Sequence, residues 1–314
     1  MNGPGWRIVL SYQTILVQAS WSGVRLMVGY RALALGADPL FLGLLASCFA
    51  LPAFLCALAA GRLSDRIGGP VVALAGMIAA AVGTLGAFAF AHQWTVLAAA
   101  SCIGLGHMLI MVGQQTFVAN VSASGSSDAA FGTLTAAASI GQLVGPPLVT
   151  AVASLTASSD EPGPNTTAGL IVCVVLVAFA LPSHIPLHRT DRSLTALPPS
   201  ESQPTGTWAL LKTPDLWRSL VVSGAVLVSV DLMYTFVPLW AIEQDVNPTM
   251  VGLLLALRAL VSVVSRFGLT RLVARFGRKF LILGSIAAAV AALIALPFVG
   301  AWGAVLVMIE PSWI

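Results

Sequence analysis

Four ionisable residues lie inside otherwise apolar segments of the sequence: Arg25, Asp231, Arg258 and Glu310. A charged side chain inside a membrane-spanning helix costs about 2.5 to 3.5 kcal/mol on insertion scales, so it should face a cavity or an opposite charge. An arginine offers forked donors to an anionic or polar group, and a carboxylate can take up a proton. These four residues are therefore the first candidates for binding or proton transfer.

The composition predicts that the segments around these residues cross a bilayer. The 314 residues are 58% hydrophobic and only 9% charged, with a mean hydropathy of +0.93, whereas an ordinary soluble domain has roughly 25% charged residues. A hydrocarbon core of about 30 Å needs about 20 apolar residues in a helix. We predict an all-α membrane protein with about ten spans, at residues 8–35, 39–60, 70–91, 94–119, 129–157, 165–182, 216–241, 249–269, 279–299 and 302–314.

The cysteines and the charge balance argue against several other classes. All four cysteines lie in apolar stretches and show neither metal-ligand spacing nor a disulfide framework. The sequence has no recurring nucleophile–base pair outside packing positions, so we expect no enzyme, no metal and no cofactor. The net charge of +3 is explained by where the loop cations lie, and no nucleic-acid partner is implied. The expected partners are the lipid bilayer, a small-molecule substrate and protons.

The positions of the loop cations predict the orientation. Lysines and arginines of the connections lie only in alternate ones, beginning with the N-terminal tail, and such connections face the cytoplasm. We therefore expect a multi-pass protein of the plasma (cytoplasmic) membrane with a cytoplasmic N-terminus. The polar, proline-rich segment 183–214 reads as a cytoplasmic linker. It separates a six-helix bundle at 1–182 from an incomplete bundle of four helices at 215–314.

An internal repeat supports two related halves. Residues 38–70 align without gaps on residues 247–279 at a constant offset of 209. The pairs Asp38–Pro39 and Asn247–Pro248 predict an N-cap and a first-turn proline for two corresponding helices. Further matched positions are Gly43 with Gly252, Arg62 with Arg271, Arg66 with Arg275, and Gly68 with Gly277.

The segment from Gly61 to Gly68, G-R-L-S-D-R-I-G, resembles the G-x-L-x-D-R-x-G signature between helices two and three of the major facilitator superfamily. The resemblance implies two six-helix halves and secondary transport. It also implies a cytoplasmic latch between the halves, although the arginines could instead only set topology. The second copy has Ala274 in place of Asp65. The implied gate residues are Gly61, Arg62, Asp65, Arg66, Gly68, Arg271, Arg275 and Gly277.

A second motif lies on the fifth span. Gly141, Gly145 and Pro146 resemble the G-x-x-x-G-P motif of the family's antiporters, which suggests a drug/proton antiporter-like type and efflux. A plain packing kink explains the same residues equally well, because small residues allow close helix contact and proline bends a helix. The fourth span departs from the drug-efflux pattern, since Ala100 stands where those antiporters carry an arginine ahead of a G-x-G.

The resemblance places the charged residues in one region. Spans one, four, seven and ten line the central cavity in the family, which puts Arg25, Asp231 and Glu310 there. All four charged residues lie about 13 to 15 Å below the outer surface, so Asp231 and Arg258 are expected within ion-pairing reach. The first and fourth spans add further polar candidates, for which interhelical packing bonds are the alternative; they are Gln18, Trp21, His107 and Gln114.

We therefore expect proton-coupled transport of a small, anionic or polar solute by alternating access. Asp231 or Glu310 would take up the proton, and the two arginines would bind the solute. The alternative is an inactive or structural membrane protein, because the sequence ends 13 residues into its tenth span and the family has two further helices. Under that alternative the chain inserts into lipid but transports poorly alone. A receptor function has no signature here.

Overall fold

The computed structural model describes residues 5–90, 92–122, 127–158, 163–195 and 234–276, with the isolated positions 284, 287, 291 and 294. All regular elements within these ranges are helical, as the sequence predicted. A 3-10 turn, Leu181–Ser183, joins α6 to α7. The helices are α1 (Gly5–Ala34), α2 (Pro39–Ile67), α3 (Gly69–Ala89), α4 (Gln93–Val121), α5 (Ser127–Leu155), α6 (Thr166–Ala180), α7 (His184–Thr195), α8 (residues 234–243) and α9 (Pro248–Phe276). The predicted spans at 279–299 and 302–314 lie outside the residues described as continuous chain.

Much of the chain is suited to a bilayer. Within the described ranges, five helical stretches are long and apolar enough to cross one, namely Pro39–Ile67, Gly69–Ala89, Gln93–Val121, Ser127–Leu155 and Thr166–Ser193. Their outer surfaces carry large apolar side chains such as Leu40 and Phe54, which are 82% and 79% exposed. Such surfaces suit lipid and would be costly in water. The fold is that of a multi-pass helical membrane protein.

The tightest helix pair, α3 with α4, is built on small residues seven positions apart. Gly69, Gly76 and Gly83 lie along one face of α3, and a methyl group at Gly76 would stand 2.5 Å from the Gly106 carbonyl oxygen and 2.7 Å from the Ile110 nitrogen. The backbones of the two helices are therefore in direct contact. Without a hydrophobic drive between helices in lipid, such close packing is a main source of cohesion.

The internal repeat is visible in the helices themselves. Both α2 and α9 contain 29 residues, and their bounds differ by the offset of 209 seen in the sequence. Asp38 caps α2 by accepting a hydrogen bond from the Phe41 nitrogen at 2.7 Å, and Asn247 accepts one from the Thr249 nitrogen at 2.8 Å. Both predicted N-caps are confirmed.

The segment Gly61–Gly68, called the gate motif below, is helical through Ile67 and is not the loop that the hydropathy predicted. Helix α2 continues past its apolar part because polar residues also favour helix, and it stops only at Gly68, whose φ is +93°. The Gly68 nitrogen still donates to the Ser64 carbonyl at 3.0 Å. Gly68 alone connects α2 to α3.

The first part of the predicted linker is also a helix. Helix α7 packs against α1, α3 and α4 at the end of the fold where the gate motif lies. Its Leu187 is buried in a cluster with Leu10, Phe117 and Leu134. A helical path of about 20 residues from Thr166 already spans the hydrocarbon core, so most of α7 lies beyond it. Residues 196–214, the rest of the predicted linker, lie outside the described ranges.

Candidate functional site

The side chain of Arg25, near the middle of the fold, lies among three aromatic rings. Its Cζ atom is 4.8 Å from the centre of the Tyr234 ring on α8, 5.2 Å from that of Trp21 on α1, and 5.9 Å from that of Phe49 on α2. Arg25 is only 5% exposed. A guanidinium over aromatic faces is stabilised by their negative quadrupoles, more strongly where water is excluded. We call Arg25, Trp21, Phe49 and Tyr234 the aromatic box.

His107 of α4 extends this arrangement. Its ring stacks on Trp21, with centroids 3.9 Å apart and planes inclined by 1°. The Nε2 atom of His107 is buried and has no hydrogen-bond partner within the described part of the chain. A cavity of about 10 Å³ lies beside the pair and is also lined by Ser20 and Thr84. Its volume is about what one water molecule needs.

The aromatic box lies where the two halves of the chain meet. One continuous core joins the last part of α1 to α8 and α9, and it includes Tyr234 and Phe49. Gly29 of α1 allows this approach, because a methyl group there would lie 3.2 Å from the Pro238 Cγ. The clusters nearer the gate motif contain, among the described residues, members of α1 and of α3 to α7. The described halves therefore pack together at the end remote from the gate motif.

Two of the polar candidates from the sequence belong to hydrogen-bond networks between helices. The Gln114 amide donates to Gln13 Oε1 at 3.1 Å, and the Gln13 amide donates to Ser183 Oγ at 2.8 Å. Gln18 donates to the Met111 sulfur at 3.1 Å and accepts from Gln142 at 3.4 Å. These bonds tie α1 to α4, to α5 and to the 3-10 turn. They give both glutamines a packing use, and neither contacts the aromatic box in any described bond.

The helix-five motif lies between α1 and α9. A methyl group at Gly141 or Gly145 would collide with the α1 backbone at Ile15 or Ala19. On the other side of α5, Gly252 packs against the Pro146 carbonyl, which accepts the Thr150 hydroxyl at 2.8 Å. The motif thus brings three helices together, one of them from the second half of the chain.

The gate motif is mostly exposed. Arg62, Asp65 and Arg66 are exposed, and so is Arg275 of the second copy. Gly61 has open space around its Cα, whereas Gly68 faces the Asp191 carboxylate of α7. The side chain of Arg271 and all of Gly277 lie outside what the structure describes.

The remaining charged candidates are only partly placed. Arg258 lies six residues after Gly252 on α9, about 9 Å along the helix. It is half-buried, and its Nε has no hydrogen-bond partner among the described residues. Asp231 and Glu310 lie outside the described ranges. The predicted approach of Asp231 to Arg258 therefore stays a prediction.

The sequence as a whole decides the family. Residues 10–311 match the family description Major Facilitator Superfamily. The chain belongs to the major facilitator superfamily. This is a family of transporters and not of enzymes, as the sequence predicted. A search of curated proteins finds no match.

Solved structures of similar fold are consistent with membership in this superfamily. A point mutant of the nucleoside transporter NupG superposes with a TM-score of 0.78 at 14% identity, over 98% of this chain and 79% of that one. Tetrameric PepTSo2 gives 0.72 at 17% identity, over 98% and 80%. A bacterial homologue of the human lysosomal transporter Spinster, inward-facing and unoccupied, gives 0.69 at 16% identity, over 99% and 74%. At such identities the likeness shows the facilitator fold alone.

Sequence reasoning missed several residues of this facilitator's central region. Tyr234 follows Asp231 by three positions, about one helical turn, and that spacing could have placed it on the same face. Phe49 carries no such signal, because phenylalanine is ordinary in a lipid-facing helix. Gln13 also had a partial signal, being five residues before Gln18 on the same helix.

Proposed function

We propose that this facilitator is a proton-coupled secondary transporter that moves a small anionic or polar solute by alternating access. The observation that carries the proposal is the buried guanidinium of Arg25, held by aromatic rings from three helices of both halves. A cation is expensive at that depth and is retained where it has a use. Its location between halves that must separate for transport gives it one.

The contacts between the halves support a specific state. The shared core closes the end remote from the gate motif. With the orientation predicted from the loop cations, that end is the extracellular one. The structure thus corresponds, in this proposal, to a state closed to the outside in which Tyr234 and Phe49 lie against Arg25. Opening to the outside would remove Tyr234 from the guanidinium and uncover it for the solute.

Proton coupling is assigned to a carboxylate, Asp231 or Glu310. A carboxylate near an arginine can be neutralised by a proton or by the ion pair, and a bound anion competes for the same arginine. Exchange among these partners would couple the two movements. The antiporter and efflux assignment rests on the helix-five motif alone, whose residues also have a packing use.

The proposal is tested by proton movement in liposomes. Purified protein is reconstituted with an internal pH-sensitive dye, and succinate, uridine and tetraethylammonium are added outside in turn. We expect one of the anionic or neutral solutes to change the internal pH, and Asp231→Asn or Glu310→Gln to abolish the change. The sign of the change distinguishes antiport from symport. If no solute of a broad panel moves protons, the proposal of proton-coupled transport is wrong.

The orientation has a separate test. Single cysteines are introduced at Ser200 and Ser159 in a chain whose four native cysteines have been replaced. We expect an impermeant maleimide added to intact cells to label the cysteine at 159 and not that at 200, since the loop cations place 183–214 in the cytoplasm. Labelling of position 200 from outside would show that the predicted topology is wrong.

A further inference from the structure

The junction of α2 and α3 lacks a side-chain cap of its own. Gly68 is both the C-cap of α2 and the N-cap of α3. Because glycine has no side chain, it cannot cap α3 with a side-chain hydrogen bond. The first turn of α3 also contains Pro70, which has no backbone N–H. No side chain at the N-cap position therefore bonds to the first turn of α3. A carboxylate near this positive end of the helix dipole would be favourable.

An acidic side chain from another helix reaches this junction. The Oδ2 atom of Asp191, on α7, lies 2.5 Å from the point that a Cβ atom on Gly68 would occupy. Asp191 is only 4% exposed. Its carboxylate also accepts a side-chain hydrogen bond from Asn120, near the end of α4. A buried carboxylate is costly unless it is hydrogen-bonded or paired, so its burial at this junction indicates a structural use.

Helix α7 is fixed firmly enough to hold the carboxylate there. His184 Nδ1 lies 3.0 Å from the carbonyl oxygen of Pro70, in the first turn of α3. Leu187 is 3% exposed within the cluster that also contains residues of α1, α4 and α5. Ser183, just before α7, accepts the Gln13 amide of α1 at 2.8 Å. His184, Leu187 and Asp191 follow one another at spacings of three and four residues, so they lie along one face of α7.

From these contacts we infer that Asp191 is a positioning residue for the gate motif. It supplies from α7 the carboxylate that Gly68 cannot supply, and so holds the end of α2 against the start of α3. The residue acts through Gly68 and touches no solute. An effect of Asp191 on transport rests on the proposed function, because the gate motif acts as a gate only if the chain transports a solute. The positioning itself stands on the contacts.

The test measures amide hydrogen exchange in the purified full chain, with no transport involved. Asp191→Asn removes the charge, and Asp128→Asn is the matched control, an exposed carboxylate at the same end of the molecule. We expect Asp191→Asn to speed exchange about tenfold in residues 61–72, as for loss of a partly buried helix-end charge. Residues 103–110 of α4 should be unchanged, and Asp191→Glu should restore part of the protection.

Equal exchange of residues 61–72 in Asp191→Asn and Asp128→Asn would overturn the inference, and so would a uniform rise over all helices. If Asp191→Asn yields no folded protein, Gly68→Ala decides. Its added methyl group must displace the Asp191 carboxylate, so exchange should rise in residues 184–195 of α7. Unchanged exchange there would equally contradict the inference. None of these outcomes depends on whether the chain transports anything.

Discussion

Arg25→Gln is expected to reduce solute-driven proton movement by about 10- to 100-fold, because a hydrogen bond to a charged group contributes about 1.5 to 3 kcal/mol. Glutamine keeps a polar side chain but removes both the charge and the planar fork that a solute anion would use. It also removes the cation from the faces of Trp21 and Tyr234. The measurement is the initial rate of internal pH change in liposomes, at matched protein content.

Arg31→Gln is the matched control for this substitution. Arg31 lies six residues further along α1. Its guanidinium donates one long hydrogen bond, of 3.5 Å, to the backbone carbonyl of Phe88. Its loss should change the rate less than about twofold, as expected for surface-type contacts. Arg25→Lys separates two roles of the site: a lysine keeps the charge but not the fork. Equal rates for Arg25→Gln and Arg31→Gln would remove Arg25 from the transport site.

Gly76→Val is expected to destabilise the protein by about 3 kcal/mol, at the upper end of the range for overpacked sites. The added methyl groups would meet backbone atoms, the Gly106 carbonyl oxygen and the Ile110 nitrogen, which cannot turn aside as a flexible side chain would. Helices α3 and α4 must then move apart along their length. The free energy of unfolding is measured by titration with sodium dodecyl sulfate in mixed micelles.

Gly86→Val provides the control on the same helix. Nothing lies within 4 Å of a methyl group at Gly86. Valine there therefore tests helix propensity alone, in which it is more favourable than glycine by roughly 0.3 kcal/mol. A destabilisation of similar size at both positions would mean that the backbones of α3 and α4 are not in direct contact at Gly76 in the membrane.

The sequence predicted the parts of the fold that depend on local patterns. Helices in the apolar segments, the repeat and the caps at Asp38 and Asn247 all follow from hydropathy, spacing or one side chain's bond to its neighbours. It missed α7 and the helical gate motif, because hydropathy marks where the membrane ends and not where a helix ends. Residues 184–195 contain a proline and several charges, which resemble a linker until their partners on α1, α3 and α4 are known.

The central region was predictable only where a residue is unusual for its surroundings. Arg25 is conspicuous in an apolar helix, and the structure places it between the halves. Phe49 and Tyr234 are not conspicuous, since aromatic residues are common in spanning helices. Their role depends on which face meets Arg25, a property of tertiary packing. The depth argument for Asp231 and Glu310 stays a prediction.

The single-residue connection at Gly68 makes the rotational phase of α3 depend on the length of the chain before it. One inserted residue would turn α3 by about 100° or shift it by about 1.5 Å relative to α2. Either change moves the glycine face of α3 away from α4. Because glycine is already the smallest residue, no substitution on that face can restore the close contact. Insertions and deletions should therefore be excluded from this junction among functional relatives, even where the individual side chains of the gate motif vary.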